Sequence, residues 1–261
     1  MNKRYDRDLA AERHEKVLQL IRSERVARVE DMSFELGVSP ATIRRDLVEL
    51  ESRGLIRRVH GGAVAVEGRL EEPIIFDDKT SVAASEKKAI AAEAFKHIQA
   101  EDTIYVDGGT TTLELIRMIR TMQGITVVTN SLRAAIELGG SGPRLILIGG
   151  ELRRRSQTLV GSLTRNILTE LHVDKAFMGT MGLTMEEGMT TTDPGEAFTK
   201  ELVMRQAREV ILLVNSQKIG KVSFARAGKI KHLNHIITDS RVDENFVKQV
   251  QKLNVNLIKA Y

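Results

Sequence analysis

Apolar positions follow two different rhythms along this chain. Between Glu12 and Ser23 they recur at Val17, Leu18, Leu20 and Ile21, which predicts a short amphipathic helix. A second helical pattern runs from Asp31 through Leu36 and stops at Gly37. A third begins at once. Ser39 is suited to the N-cap, Pro40 takes the first helical position, and Ile43, Leu47 and Leu50 form one stripe at i, i+4 and i+7. Gly54 ends that helix, and LIRRVHGGAV (55–64) alternates as a two-stranded hairpin with Gly61-Gly62 near its turn. Residues 65–78 have no periodicity and carry Gly, Pro and acidic side chains, so they read as a linker.

From Ser81 onward strands and helices alternate. A helix at about 82–98 leads to the strand TIYV (103–106) and a helix from Thr110. ITVV (125–128), RLILI (144–148), DKAFM (174–178), VILLV (210–214), IIT (236–238) and NVNLI (254–258) are further strands. Helices fall between them, near Ser131, 163–171, 194–207 and 243–252. Short strands without polar alternation, separated by helices, predict a mainly parallel sheet covered on both faces. The fold expected is α/β: residues 1–64 a winged helix-turn-helix, 65–78 a linker, and 79–261 an α/β domain.

Composition narrows the function classes. The 261 residues include no cysteine, which excludes disulfides, a cysteine nucleophile and thiolate metal sites. No apolar run approaches the roughly 18 residues of a membrane span, and MNKRYDRDLAAERHEK lacks the apolar core of a signal peptide. A cytoplasmic protein is expected. The formal charge of +4 permits a nucleic-acid partner without arguing for one, so the placement of the charges must decide.

That placement is informative in the third helix. The face opposite Ile43 and Leu47 carries Ala41, Arg45, Val48 and Ser52, flanked by Thr42 and Arg44. Two arginines, a threonine and a small apolar group suit the major groove: arginine against guanine, methyl groups against thymine. Arg57, Arg58 and His60 on the hairpin are placed for phosphate or the minor groove. The bland alternative is a solvated face in which Arg44 and Arg45 pair with Asp46 and Glu49. Cap, stripe, preceding short helix and basic wing agree on the DNA-binding reading.

In the second domain the chemistry gathers at strand ends. Asp107-Gly108-Gly109-Thr110-Thr111-Thr112 follows the strand at 103–106, and such a loop offers hydroxyls and helix N–H groups to an anion. The same glycines also serve a plain strand-to-helix turn. Thr129-Asn130-Ser131, Gly149-Gly150 and Asn215 with Lys218 stand at other strand ends. Lys79 and Lys87 are further cations near the start of the domain. Together these groups suit a polyol phosphate. Arg153-Arg154-Arg155 reads by default as a solvated run, the sharper alternative being a flexible lid whose arginines grip phosphate. Glu196 either faces the pocket or favours a helix N-terminus, the second being the default. His14, His97, His172, His232 and His235 show neither HxxxH nor HExxH spacing, so no metal site is assigned and no cofactor is implied.

GVSPATIRRDLVELESRGLIRRVHGGAV resembles the DNA-binding signature of the DeoR family of bacterial regulators, and the resemblance continues to the end of the chain. DGGTTT, VVTNS, LIGGELR…VG and Lys218 are similar to that family's effector domain. The resemblance implies a fold like ribose-5-phosphate isomerase and a phosphorylated sugar or polyol as ligand. It assigns phosphate or hydroxyl contacts to Asp107, Gly109, Thr110 and Thr111, with Thr129, Asn130, Gly150 and Lys218 completing the pocket; Gly108 lies within the same loop. It also implies operator DNA contacts from Ser39 to Arg45 and from the wing, and a homodimer or larger homo-oligomer. Two positions depart from the family pattern. Asn215 stands where aspartate is common, which removes a negative charge beside an anion site, and Leu183-Thr184 replaces an aliphatic residue followed by aspartate.

Two other classes compete with a ligand-controlled repressor. A sugar-phosphate isomerase would cast Asp107 as base and Lys218 as enediolate stabiliser, but no second base stands at a strand end. A non-specific architectural DNA binder leaves two-thirds of the chain without a role.

Overall fold

The computed structural model describes residues 10, 13–14, 16–18, 20–21, 26–52, 55–59, 61–65, 82–140 and 142–261. The chain divides into two compact units, residues 1–82 and 83–261.

In the first unit the described residues between Arg13 and Ile21 are helical. Strand β1 (Val26–Arg28) leads directly into helix α1 (Val29–Leu36), which ends in a left-handed Gly37 at φ 63°. Helix α2 (Pro40–Ser52) follows after a short turn. Its stripe of Ile43, Leu47 and Leu50 is buried against Val17, Leu18, Ile21, Val29 and Met32, so the predicted amphipathic faces meet in one core. Strands β2 (Ile56–Val59) and β3 (Gly62–Ala65) form the hairpin. The wing has a third strand that the sequence reading does not contain: β1 pairs antiparallel with β3, giving the order β1-β3-β2. Gly62 makes this pairing possible, because a Cβ there would lie 2.2 Å from the Ala27 carbonyl oxygen. The expected linker falls almost wholly outside the described residues.

The second unit opens with α3 (Ala84–Phe95), then β4 (Thr103–Val106), α4 (Thr110–Ile119), β5 (Thr126–Thr129), α5 (Leu132–Leu138) and β6 (Arg144–Leu147). A hairpin of β7 (Glu151–Arg153) and β8 (Thr158–Val160) and a short α6 (Arg165–Thr169) precede β9 (Val173–Gly179). Next come β10 (Gly182–Thr184), β11 (Gly188–Thr191), α7 (Pro194–Gln206) and β12 (Ala207–Leu213). The chain closes with β13 (Ala225–Gly228), β14 (His235–Asp239), α8 (Glu244–Gln251) and β15 (Asn256–Ala260).

Seven strands form one parallel sheet in the order β15-β14-β12-β9-β4-β5-β6. Consecutive residues of its inner strands are buried (Ala176 to Met178 and Val210 to Leu213), as covering on both faces requires. Tyr105, Val128, Met178, Leu212 and Ile236 of the sheet share a core with Val203 of α7 and Phe246 and Val250 of α8. Two small antiparallel sheets, β7-β8 and β10-β11-β13, stand beside the main one and were not expected from the sequence. Among the described residues no helix is long and apolar enough to cross a membrane.

Candidate functional site

Helix α2 presents its polar face as its stripe demands. Ser39 Oγ accepts the Thr42 N–H at 3.2 Å, the capping bond expected of a serine before proline, and the Ser39 and Thr42 hydroxyls share a hydrogen bond of 2.9 Å. Ala41, Arg44, Arg45 and Val48 are exposed. With Arg58, Val59, Gly61 and Gly62 of the wing, Arg44, Arg45 and Val48 line a groove of about 520 Å³. Asp46 does not neutralise these arginines. It turns inward, where Arg13 binds both its oxygens (2.6 and 2.9 Å) and His14 Nε2 lies 3.0 Å from Oδ1. Burial alone would raise the Asp46 carboxyl, but the hydrogen bonds and charges of Arg13 and His14 outweigh it and hold the group below its usual value. On the wing Arg57 is exposed. Arg58 instead grips Glu51, with the guanidinium at 2.6 Å and its own backbone N–H at 2.9 Å. His60 lies outside the described residues, as does Lys79.

In the parallel sheet β4 is followed in sequence by β5 on one side, whereas β9 returns to its other side. The order therefore reverses between β4 and β9, and the crevice beyond their carboxyl ends is the place where α/β sheets hold ligands. Asp107 stands at the end of β4 on one lip. Gly179 and Thr180 stand at the end of β9 on the other. The Gly179 N–H donates to Asp107 Oδ2 at 2.9 Å. Lys200, reaching over from α7, donates to the same carboxylate oxygen and to the Gly179 carbonyl at 3.1 Å. Both members of this ion pair are almost fully buried. Lys218 closes the β9–β12 side, its ammonium 2.8 Å from the Thr180 carbonyl.

Helix α4 opens directly on this crevice, with Gly109 before its first residue and Thr110, Thr111 and Thr112 as its first turn. The Thr112 hydroxyl is tied to the Gly109 carbonyl at 2.9 Å. Thr110 and Thr111 are buried. Gly108 is packed hard: a Cβ there would come within 2.1 Å of the Thr158 methyl on β8.

The remaining candidates make contacts within the framework. Thr129 donates to the Val106 carbonyl at 2.6 Å and accepts the Ser131 N–H at 3.1 Å, which latches β5 to β4. Asn130 binds the Leu159 carbonyl through Nδ2 at 3.0 Å and leaves a buried Oδ1 without a partner. Ser131 caps α5. Gly150 is pressed against Val160 and Thr164. Asn215, also buried, holds an Oδ1 with no partner.

A second polar network borders the crevice. Glu196 accepts from Thr191 Oγ1 at 2.6 Å and from Arg153 at 2.9 Å, and Arg153 also reaches Thr192 and Asp193. Burial works to raise the Glu196 carboxyl, but Lys200, the Ser156 and Thr191 hydroxyls and Arg153 prevail and lower it. Of the three successive arginines, Arg153 is thus a half-buried strut rather than part of a solvated run. Glu196 lies in the first turn of α7 behind the Asp193 cap, and its carboxylate also faces Arg153 and Thr191.

Comparison with known proteins matches residues 82–240 to a DeoR C-terminal sensor domain and residues 13–69 to a DeoR-like helix-turn-helix domain. The chain belongs to the DeoR family. An HTH-type transcriptional regulator, GlpR, from Haloferax volcanii is 37% identical over 250 residues, which is 96% of this chain and 98% of that one. The glycerol-3-phosphate regulon repressor of Escherichia coli is 30% identical over 88% of this chain and 90% of its own. The lactose phosphotransferase system repressor of Streptococcus mutans is 33% identical over 91% and 95%. These DeoR-family relatives are transcription regulators, not enzymes. Among solved structures, ribose 5-phosphate isomerase A from Methanocaldococcus jannaschii shows a partial likeness (TM-score 0.39, 19% identity, 51% of this chain and 53% of that one).

Lys200 is the residue at this crevice of the DeoR-family chain that sequence reasoning misses. It sits mid-helix among polar neighbours, and only its reach to Asp107 distinguishes it. Its heptad neighbourhood holds one clue: Glu196 and Lys200 are four apart, so both belong to one face of α7.

Proposed function

We propose that this chain is an operator-binding transcriptional repressor of a sugar or polyol catabolic operon, controlled by a phosphorylated sugar held in the crevice between β4 and β9. The observation that carries the reading is the meeting of unlike groups at that switch point. The open N-terminus of α4 and the Thr110 and Thr111 hydroxyls favour an anion. Asp107, Gly179, Lys200 and Lys218 offer a carboxylate, a peptide and two ammonium groups suited to sugar hydroxyls and phosphate oxygens. Gly108 and Gly109 bring the backbone close to the ligand, while Thr129, Asn130 and Gly150 hold the walls. The names of the E. coli and S. mutans relatives, with their glycerol-3-phosphate and phosphotransferase regulons, agree with this ligand class.

On the DNA side, Ala41, Thr42, Arg44 and Arg45 read the major groove, Ser39 fixes the helix start, and Arg57, Arg58 and His60 hold phosphates. Lys79 is assigned to the effector side by its place before α3. The repressor acts in the cytoplasm as a homodimer or larger homo-oligomer on paired half-sites, which a single helix-turn-helix per chain favours. An isomerase role is disfavoured by chemistry as well as kinship. Asp107 Oδ2 is already engaged by Lys200 and a peptide N–H, so that oxygen is not open to take a proton from a substrate.

The test is a thermal-shift screen against free and phosphorylated sugars, followed by operator titration with each hit. A ligand at 100 times its Kd should add about 2.7 kcal/mol to the folded state. Replacing Thr110 and Thr111 together by alanine should leave operator binding intact and abolish the shift. A response from free sugars only, or loss of DNA binding in that variant, would overturn the reading.

A further inference from the structure

At the amino-terminal edge of the parallel sheet, opposite the strand ends that form the crevice, three metal-binding side chains converge from three separate elements. His97 follows α3, Glu209 is the third residue of β12, and His235 opens β14. One imidazole nitrogen from each histidine and a Glu209 oxygen all lie within 4.8 Å of one another. His235 Nε2 is 2.8 Å and His97 Nδ1 4.0 Å from Glu209 Oε1, and the two rings meet edge to face with centroids 5.0 Å apart. We infer that His97, Glu209 and His235 form a binding site for a divalent transition metal, zinc by preference.

Three features support this beyond proximity. The donor set is two imidazoles and one carboxylate, which zinc accepts with a fourth position left to water. Ligands around tetrahedral zinc stand about 3.3 Å apart, so the widest separation here must close by only about 1–1.5 Å. All three side chains are about one-quarter exposed or less, leaving room for that rotation and a path for the ion.

A supporting group is also in place. Asn256 Nδ2 lies 3.2 Å from His235 Nδ1. Rotation of that amide by half a turn presents its oxygen to Nδ1–H, which fixes the tautomer with Nε2 bare for metal. The one cation on the adjoining strand, Lys175, opposes Glu209 in the register but is bound to Asp102 at 2.7 Å. No local spacing rule finds this site, because its ligands are separated by 112 and 26 positions (209 − 97 and 235 − 209).

The inference is independent of the effector reading and is tested on the full chain stripped with a chelator. Titration with zinc chloride by calorimetry should give saturable binding of about one ion per chain. His97→Ala and Glu209→Gln should each weaken it by at least about tenfold, while His232→Ala leaves it unchanged. Cobalt(II) should give the intense visible bands of a four-coordinate site with the unsubstituted protein, a readout that does not depend on any variant folding. Absence of those bands, or zinc affinity equal in all three variants, would overturn the assignment.

Discussion

Asp107 and Lys200 stand 93 residues apart in sequence and share a buried hydrogen bond at the point where the sheet reverses its strand order. Each is the other's neutralising partner, so neither can be removed alone without leaving a charge in a protein interior. Asp107→Asn should therefore cost about 3–5 kcal/mol in urea unfolding, and Asp107→Asn with Lys200→Met should recover a large share of it. Strictly additive losses in that double-mutant cycle would show that the two groups do not act as a pair.

Asp46 links the helix-turn-helix to acid stability. Its carboxyl titrates below its usual 3.8 in the folded state because Arg13 and His14 favour the ionised form over burial. A depressed native pKa contributes stability that is present above the unfolded value and fades as pH falls through the folded one. Asp46→Asn should cost about 2–4 kcal/mol at neutral pH, and the gap to the wild type should narrow below about pH 4. A gap that is constant from pH 7 to pH 3 would contradict the assignment.

The two kinds of arginine in the DNA-binding unit should separate by salt. Arg45→Ala should weaken operator binding by about 1–3 kcal/mol and random DNA far less. Arg57→Ala should weaken both alike and reduce the slope of log K against log salt by about 0.9. Fluorescence anisotropy on operator and scrambled duplexes at several salt concentrations distinguishes the two patterns.

The three-stranded wing makes a demand on one residue. Gly62→Ala places a methyl 2.2 Å from the Ala27 carbonyl oxygen, which is backbone and cannot rotate aside. The substitution should destabilise the DNA-binding unit by about 1–3 kcal/mol and lower operator affinity with it. Unchanged melting and binding would mean that β1 does not pair with β3 in solution.

Local rules were enough for much of this molecule. The Ser39 cap, the Ile43–Leu50 stripe and the Gly37 stop are decided within a few residues, and so are the apolar strands of the main sheet. Asp107 to Thr111 were legible for the same reason, as a loop between a strand and a helix. What stayed hidden depends on contacts across the chain. Lys200 acquires its meaning only beside Asp107, Arg153 only beside Asp193 and Glu196, and Asp46 only beside Arg13. Thr129 and Gly150 carried the right polarity at the right strand ends, but their hydroxyl and their missing side chain serve neighbouring backbone and packing. Strands such as β7, β10 and β13 are three or four residues long and lack an apolar alternation, so no periodicity could reveal them.

The close fit of Gly108 beneath Thr158 constrains how this sequence can change. Thr158 is itself buried, and its hydroxyl is held by Ser156 at 2.7 Å, so its methyl has nowhere to turn. Any side chain at position 108 would need a smaller residue at 158 in the same step. The loop beyond β4 and the hairpin of β7 and β8 are thereby coupled through one methyl group: the room for a side chain at 108 is set by the residue at 158.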